Sequence, residues 1–154
     1  MKTADAGLVF PVVGFTPDIE IWGFPDLDAL TSCGPRTLKE DLARGMELID
    51  TTGRRWRVIS VRRVGRAGPL WRWLIDAVLS TPQNRIEHDL EALSPLTLSD
   101  VQERCCEVVQ ARASDWCGEP EQDVEIPRLL AKVRGTKAIA ELPELLGLDT
   151  FESY

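Results

Sequence analysis

One histidine, four cysteines and 25 acidic side chains are the groups in this 154-residue chain with which acid–base, nucleophilic or metal chemistry could be done. The histidine, His88, falls on the apolar positions of an alternating segment, so its reading is structural. A zinc site would have to combine His88 with Cys105, Cys106 and Cys117, and no Cys-x-x-Cys spacing exists. A Ser–His–Asp or Cys–His arrangement would need the same His88, and no Gly-x-Ser-x-Gly turn is present. Gly65-Arg66-Ala67-Gly68 lacks both the spacing and the Lys-Ser/Thr of a phosphate loop. No carboxylate pair is singled out by its spacing. The chain therefore reads as a non-enzymatic protein without metal or cofactor. The rival reading is an enzyme with an unfamiliar carboxylate and arginine site.

Charge is the stronger signal. The formal charge is −7, unevenly spread. Residues 54–66 hold six arginines and no acid, whereas residues 87–125 hold eleven acids against Arg104 and Arg112. Arg55, Arg57, Arg63 and Arg66 are candidate anion contacts, set against the plainer reading of a solvated strand face paired with acids of the same chain. An anion- or nucleic-acid-binding role for Arg54–Arg66 is the alternative this segment keeps open. The acidic balance argues against nucleic acid, whose affinity rests on Lys and Arg. It favours a basic protein partner, drawn in by electrostatic steering. Trp116 stands among Asp115, Glu119, Glu121 and Asp123, and an aromatic anchor ringed by acids has the character of a protein-binding hot spot. These five residues are the candidate partner-binding patch.

The elements that must position these groups follow from periodicity. Leu8–Val13 reads as a strand at a sheet edge because of Pro11. A short strand over Ile19–Trp22 follows the Thr16-Pro17-Asp18 turn, and Pro25–Leu30 suits one helical turn. Thr37 and Glu40 have capping-box spacing, predicting a short helix to Arg44 closed by Gly45. Met46–Asp50 and Arg55–Val61 flank a Gly-containing turn and predict a hairpin at about 46–64. Within it, Trp56 and Val58 share one face while Ile59 and Val61 fall on the other, which a β-bulge or a central strand covered on both sides would explain. Leu70–Leu79, opened by Gly68-Pro69, is apolar nearly all round and reads as a central helix with Trp71, Leu74, Ile75 and Val78 on one face. Residues 85–93 alternate as a strand. Thr97 and Asp100 then open an amphipathic helix running to about Ser114, with Leu98, Val101, Cys105, Val108 and Val109 buried. Asp123 is placed to cap a helix carrying Ile126, Leu129, Leu130 and Val133. Thr136 begins a last helix, interrupted at Pro143 and ended at Gly147.

Strands first and helices afterwards predict a single α+β domain over 1–154, strand-rich over 1–64 and helix-rich over 68–154. Its sheet is expected to be mostly antiparallel, with helices on one face. No signal peptide and no membrane-length apolar run is seen, so the expected setting is cytoplasmic, with no membrane partner. Free thiols fit a reducing compartment.

The order of features resembles that of small acidic immunity-type proteins of bacterial polymorphic-toxin systems. It runs from a short strand (Asp18–Trp22) and short helix to a hairpin with an aromatic strand (Met46–Val61), and on to a strand, a Pro-Leu-Thr cap and an amphipathic helix (Ile86–Val109). The resemblance implies a protein that binds and neutralises one cognate, toxin-like partner. Such proteins share no catalytic residues, so it assigns none here.

Overall fold

Six strands and the two faces they bury decide the architecture. The computed structural model describes residues 1–66, 71, 74, 78, 83–116 and 125–149. The strands are β1 (Val12–Phe15), β2 (Ile21–Phe24), β3 (Ser32–Cys33), β4 (Glu47–Ile49), β5 (Arg55–Arg66) and β6 (Asn84–Leu93). They form one antiparallel sheet in the order β2-β1-β4-β5-β6-β3. The sheet curls, and α1 (Leu27–Leu30) joins its two outer strands, β2 and β3. Asp26 caps α1 by accepting from the Ala29 amide at 2.8 Å.

Successive strand residues face opposite ways, so the sheet carries two cores. The inner face of the curl holds Val12, Trp22, Phe24, Met46, Leu48, Trp56, Val58, Ile86 and Leu90. The outer face carries Val13, Phe15, Ile21 and Ile49. These are covered by α3 (Leu98–Ala111), α4 (Ile126–Arg134) and α5 (Leu142–Leu146). Thr97 is the expected N-cap of α3 and forms a capping box with Asp100; the helix buries Val101, Cys105, Cys106, Val108 and Val109. Each fully buried aliphatic side chain contributes about 1.5–3 kcal/mol. The α+β class and the antiparallel sheet stand as the sequence predicts; the helices do not all share one face, since Leu30 of α1 and Leu38 of the helix Pro35–Lys39 pack with the inner core while the later helices cover the outer one.

Several local expectations are corrected. β1 is flanked by β2 and β4 and so is not an edge; Pro11 lies ahead of it, where its missing N–H interrupts no ladder. The helix at Thr37, α2 (Pro35–Lys39), begins two residues earlier. Pro35 supplies its first turn and Gly34 its N-cap, which leaves Thr37 buried inside it. Glu125, not Asp123, is the N-cap residue of α4. Pro143 opens α5 instead of interrupting a longer helix, and a 3-10 turn, Ile139–Glu141, precedes it.

The hairpin holds. Asp50 is fully buried, and Oδ1 accepts from the Thr52 and Arg54 amides at 3.0 and 3.1 Å while Oδ2 meets Arg54 Nη2 at 2.9 Å. The expected irregularity lies between Val58 and Ser60, which turns Ile59 out to solvent.

Trp71, Leu74 and Val78 are helical, as predicted, but not central. They are 63%, 72% and 83% exposed. The inner sheet face is covered by its own side chains with Leu30, Leu38 and Ala43, and the outer face by α3–α5. Ile75 lies outside the described residues.

Candidate functional site

The two described members of the predicted partner-binding patch, Asp115 and Trp116, lie at the end of α3. Arg112 closes that helix in a non-helical conformation, and a 3-10 turn, Ala113–Asp115, follows. The turn folds Asp115 back on Arg112, with Oδ2 2.8 Å from Nε. The other arm of Arg112 reaches Glu20 Oε1 at 3.1 Å. Glu20 is held just ahead of β2 because its amide donates to Thr16 Oγ1 at 3.1 Å. Arg112 thus ties the helix end to the β1–β2 turn, and its neighbouring carboxylate Asp115 holds it charged above its ordinary range.

The opposite wall comes from the segment after α5. Gly147 ends that helix in the left-handed region, and the Leu148 amide turns back to the Pro143 carbonyl at 3.0 Å. Asp149 then accepts from the Gly23 amide of β2 at 3.0 Å. Gly23 is required at this crossing: a Cβ there would stand 2.9 Å from that of Leu148. Trp116 closes the space by donating from Nε1 to the Leu146 carbonyl at 3.1 Å.

The result is a cleft of about 330 Å³ between Trp22 and Ile21 of β2, Trp116, and Leu146–Asp149. Its volume is at the lower end of ligand-sized sites. Its charge is one guanidinium, Arg112, against three carboxylates, Glu20, Asp115 and Asp149. Trp22 lines the cleft from its strand while its indole is buried in the inner core; the Trp116 indole attracts cations, and the carboxylates add acceptors for charge-assisted hydrogen bonds. A lysine or arginine side chain is the group this cleft suits chemically. Glu119, Glu121 and Asp123 of the predicted patch lie outside the described residues. Glu20, Trp22, Arg112 and Asp149 are members that sequence reasoning missed. Arg112 and Asp115 are three apart on a helix end and could have been paired from spacing. Glu20 and Asp149 arrive from distant segments, with no local signal.

The chain matches no protein-family model, and no curated protein or solved structure matches it.

The arginine segment is arranged differently. Arg55, Arg57 and Arg104 of α3 converge on Glu47 at 3.4, 3.4 and 2.7 Å. Burial alone would raise the Glu47 carboxyl, but Arg104, Arg55 and Arg57 together hold it below the usual carboxylate range. Arg104 also stacks over Phe15, 4.4 Å from the ring centre. Arg54 pairs with Asp50 and Arg62 with Glu87. Of the four candidate anion contacts, Arg55 and Arg57 are thus committed to Glu47. Arg63 and Arg66 are exposed near the far end of β5, where Arg63 donates to the Gly65 carbonyl at 3.4 Å.

His88 is fully buried on β6. Its Nδ1 lies 3.2 Å from Thr3 Oγ1, and Nε2 has no hydrogen-bond partner among the described residues. Burial depresses its pKa to about 4, so the ring is neutral. A tautomer with the proton on Nδ1 leaves only a lone pair unsatisfied, the cheaper of the two arrangements. Burial likewise pushes the Cys33 and Cys105 thiols up to about 11 and about 12. No group of three or more metal-ligating side chains occurs among the described residues. No helix there is long and apolar enough to cross a membrane.

Proposed function

We infer that this chain is a protein-binding module, of the immunity type, that captures a basic side chain of one toxin-like partner in the Trp22–Trp116 cleft. The observation that carries the reading is the cleft itself: the Trp116 indole beside three carboxylates and a single arginine. Such a surface combines an aromatic anchor with a charge surplus that selects a cation. Entry of a partner's lysine or arginine would compete with Arg112 for Glu20 and Asp115, so binding and local rearrangement are coupled. The exposed Trp71–Leu74–Val78 stripe supports an interaction role as well, since apolar side chains of this size at helical spacing are left open to solvent.

The test is affinity purification of the tagged chain and of its Glu20→Gln/Asp115→Asn double variant from the native lysate. One stoichiometric, basic protein retained by the first and released by the second supports the reading. Equal retention by both removes the cleft from the interface.

A further inference from the structure

Beyond Val58, the described strands flank β5 on one side only. β4 pairs with residues 55–57, and one more pair of backbone bonds ties Val58 to Gly45 and Met46. β6 pairs along the whole of the other edge, from Arg55 opposite Leu93 to Arg66 opposite Asn84. From Ile59 to Arg66 no described strand lies on the outer edge. Side chains there are exposed in succession, Ile59 and Ser60, then Arg62, Arg63 and Val64, then Arg66, so both faces of this stretch are exposed. An edge strand presents a row of unpaired N–H and C=O groups, a template for a further strand.

We propose that this edge takes an extended, acidic segment of a protein partner as an added strand. The backbone supplies the pairing, and the arginines supply the choice of partner. Residues 54–66 contain six arginines and no acid. Arg62 already accepts this kind of neutralisation inside the chain, with Nη2 2.6 Å from Glu87 Oε2 across the β5–β6 pair. An incoming strand meets Arg62 on one face and Arg63 on the other. A second copy of β5 would set arginine against arginine, which is destabilising for residues directly opposite. An alternating acidic strand sets its carboxylates on the face of Arg63, with its apolar side chains on the face of Val64. Register shifts between Val58 and Ser60 and between Arg63 and Gly65 leave a regular run, Ser60–Arg63, against which a short segment can align. The bulges blunt pairing with long strands, which restricts the occupant to a short one. This site is separate from the cleft and does not rest on it.

The test uses the full chain, labelled for amide NMR, and three blocked hexapeptides. One alternates Glu and Val, one alternates Lys and Val, and the third is the Glu/Val peptide prepared with N-methyl groups on either set of alternate amides. The expected result is saturable shifts at residues 59–66 with the Glu/Val peptide, about tenfold tighter than with Lys/Val. One N-methylated register should lose binding and the other keep it, the signature of strand pairing. Arg63→Glu, an exposed substitution on a strand that keeps its β6 partner, should weaken the Glu/Val peptide several-fold. Absence of saturable shifts at these residues overturns the proposal. So does equal binding of the Glu/Val and Lys/Val peptides, or equal binding of both N-methylated registers. Stronger binding of a short oligothymidylate at the same residues would reassign the edge to a polyanion and overturn it too.

Discussion

The indole Nε1 of Trp116 donates to the main-chain carbonyl of Leu146 at 3.1 Å, joining the end of α3 to the end of α5. That carbonyl belongs to the last turn of a helix, where no amide of the helix itself can reach it. Trp116→Phe keeps an aromatic face and removes the donor. The expected cost is about 1 kcal/mol, read as a lower midpoint in urea unfolding with the slope unchanged. Trp116→Ala should cost more, because the ring also packs against the outer core.

Glu47 gathers three guanidiniums, and Arg104 is the closest at 2.7 Å. Glu47→Gln leaves two partly buried cations, Arg55 and Arg104, and the exposed Arg57 without their carboxylate. We expect a loss of about 1–3 kcal/mol, larger than for any single arginine replaced by alanine. Because the Glu47 pKa is depressed on folding, its contribution is full above the ordinary carboxylate value of 4.5 and fades as pH falls further. Stability measured at pH 7 and at pH 3.5 should therefore differ less in Glu47→Gln than in the parent. An equal difference would mean that the cluster is not held by charge.

His88 sets a second, separate pH window. Its pKa is near 6.5 unfolded and about 4 folded, so the unfolded chain takes up the proton first. Stability is unaffected above pH 6.5 and declines as pH falls from 6.5 towards 4, by about 3 kcal/mol in all. His88→Leu should abolish that decline while Thr3 keeps its bonds to the residue 88 backbone. Thermal unfolding of both proteins between pH 7 and pH 4 reads the difference directly. Parallel curves would disprove burial of a neutral ring.

Gly53 lies at φ +84°, and a Cβ there would run into the Leu96 carbonyl. The same residue's carbonyl accepts from the Leu96 amide at 2.8 Å, so the two segments cannot simply move apart. Gly53→Ala should destabilise the protein by about 2–4 kcal/mol, through the left-handed conformation and the clash together. Denaturant titration checks this; a change under 1 kcal/mol would show that the β4–β5 turn relaxes freely.

Local chemistry alone determined much of this protein. The Thr97–Asp100 box, the hairpin turn at Gly53 and the alternation through Ile86, His88 and Leu90 involve residues a few positions apart. Their spacing dictates capping, left-handed backbone and strand facing without reference to the rest of the chain. The same reasoning placed His88 in a core and expected a bulge near Ile59. What failed was whatever depends on how much surface remains to be covered. Trp71, Leu74 and Val78 have the spacing of a packed helix, yet the curled sheet is already filled on one face and sheathed on the other. Periodicity records an apolar face, not whether a partner surface exists for it. The cleft was beyond sequence for a related reason: Glu20, Arg112 and Asp149 are brought together by the end of a helix, a turn and a crossing over Gly23. Only the closing of the sheet by α1 and the docking of α3 and α5 on its outer face bring those charges within reach of one another, because ion pairs between distant segments have no sequence period to betray them.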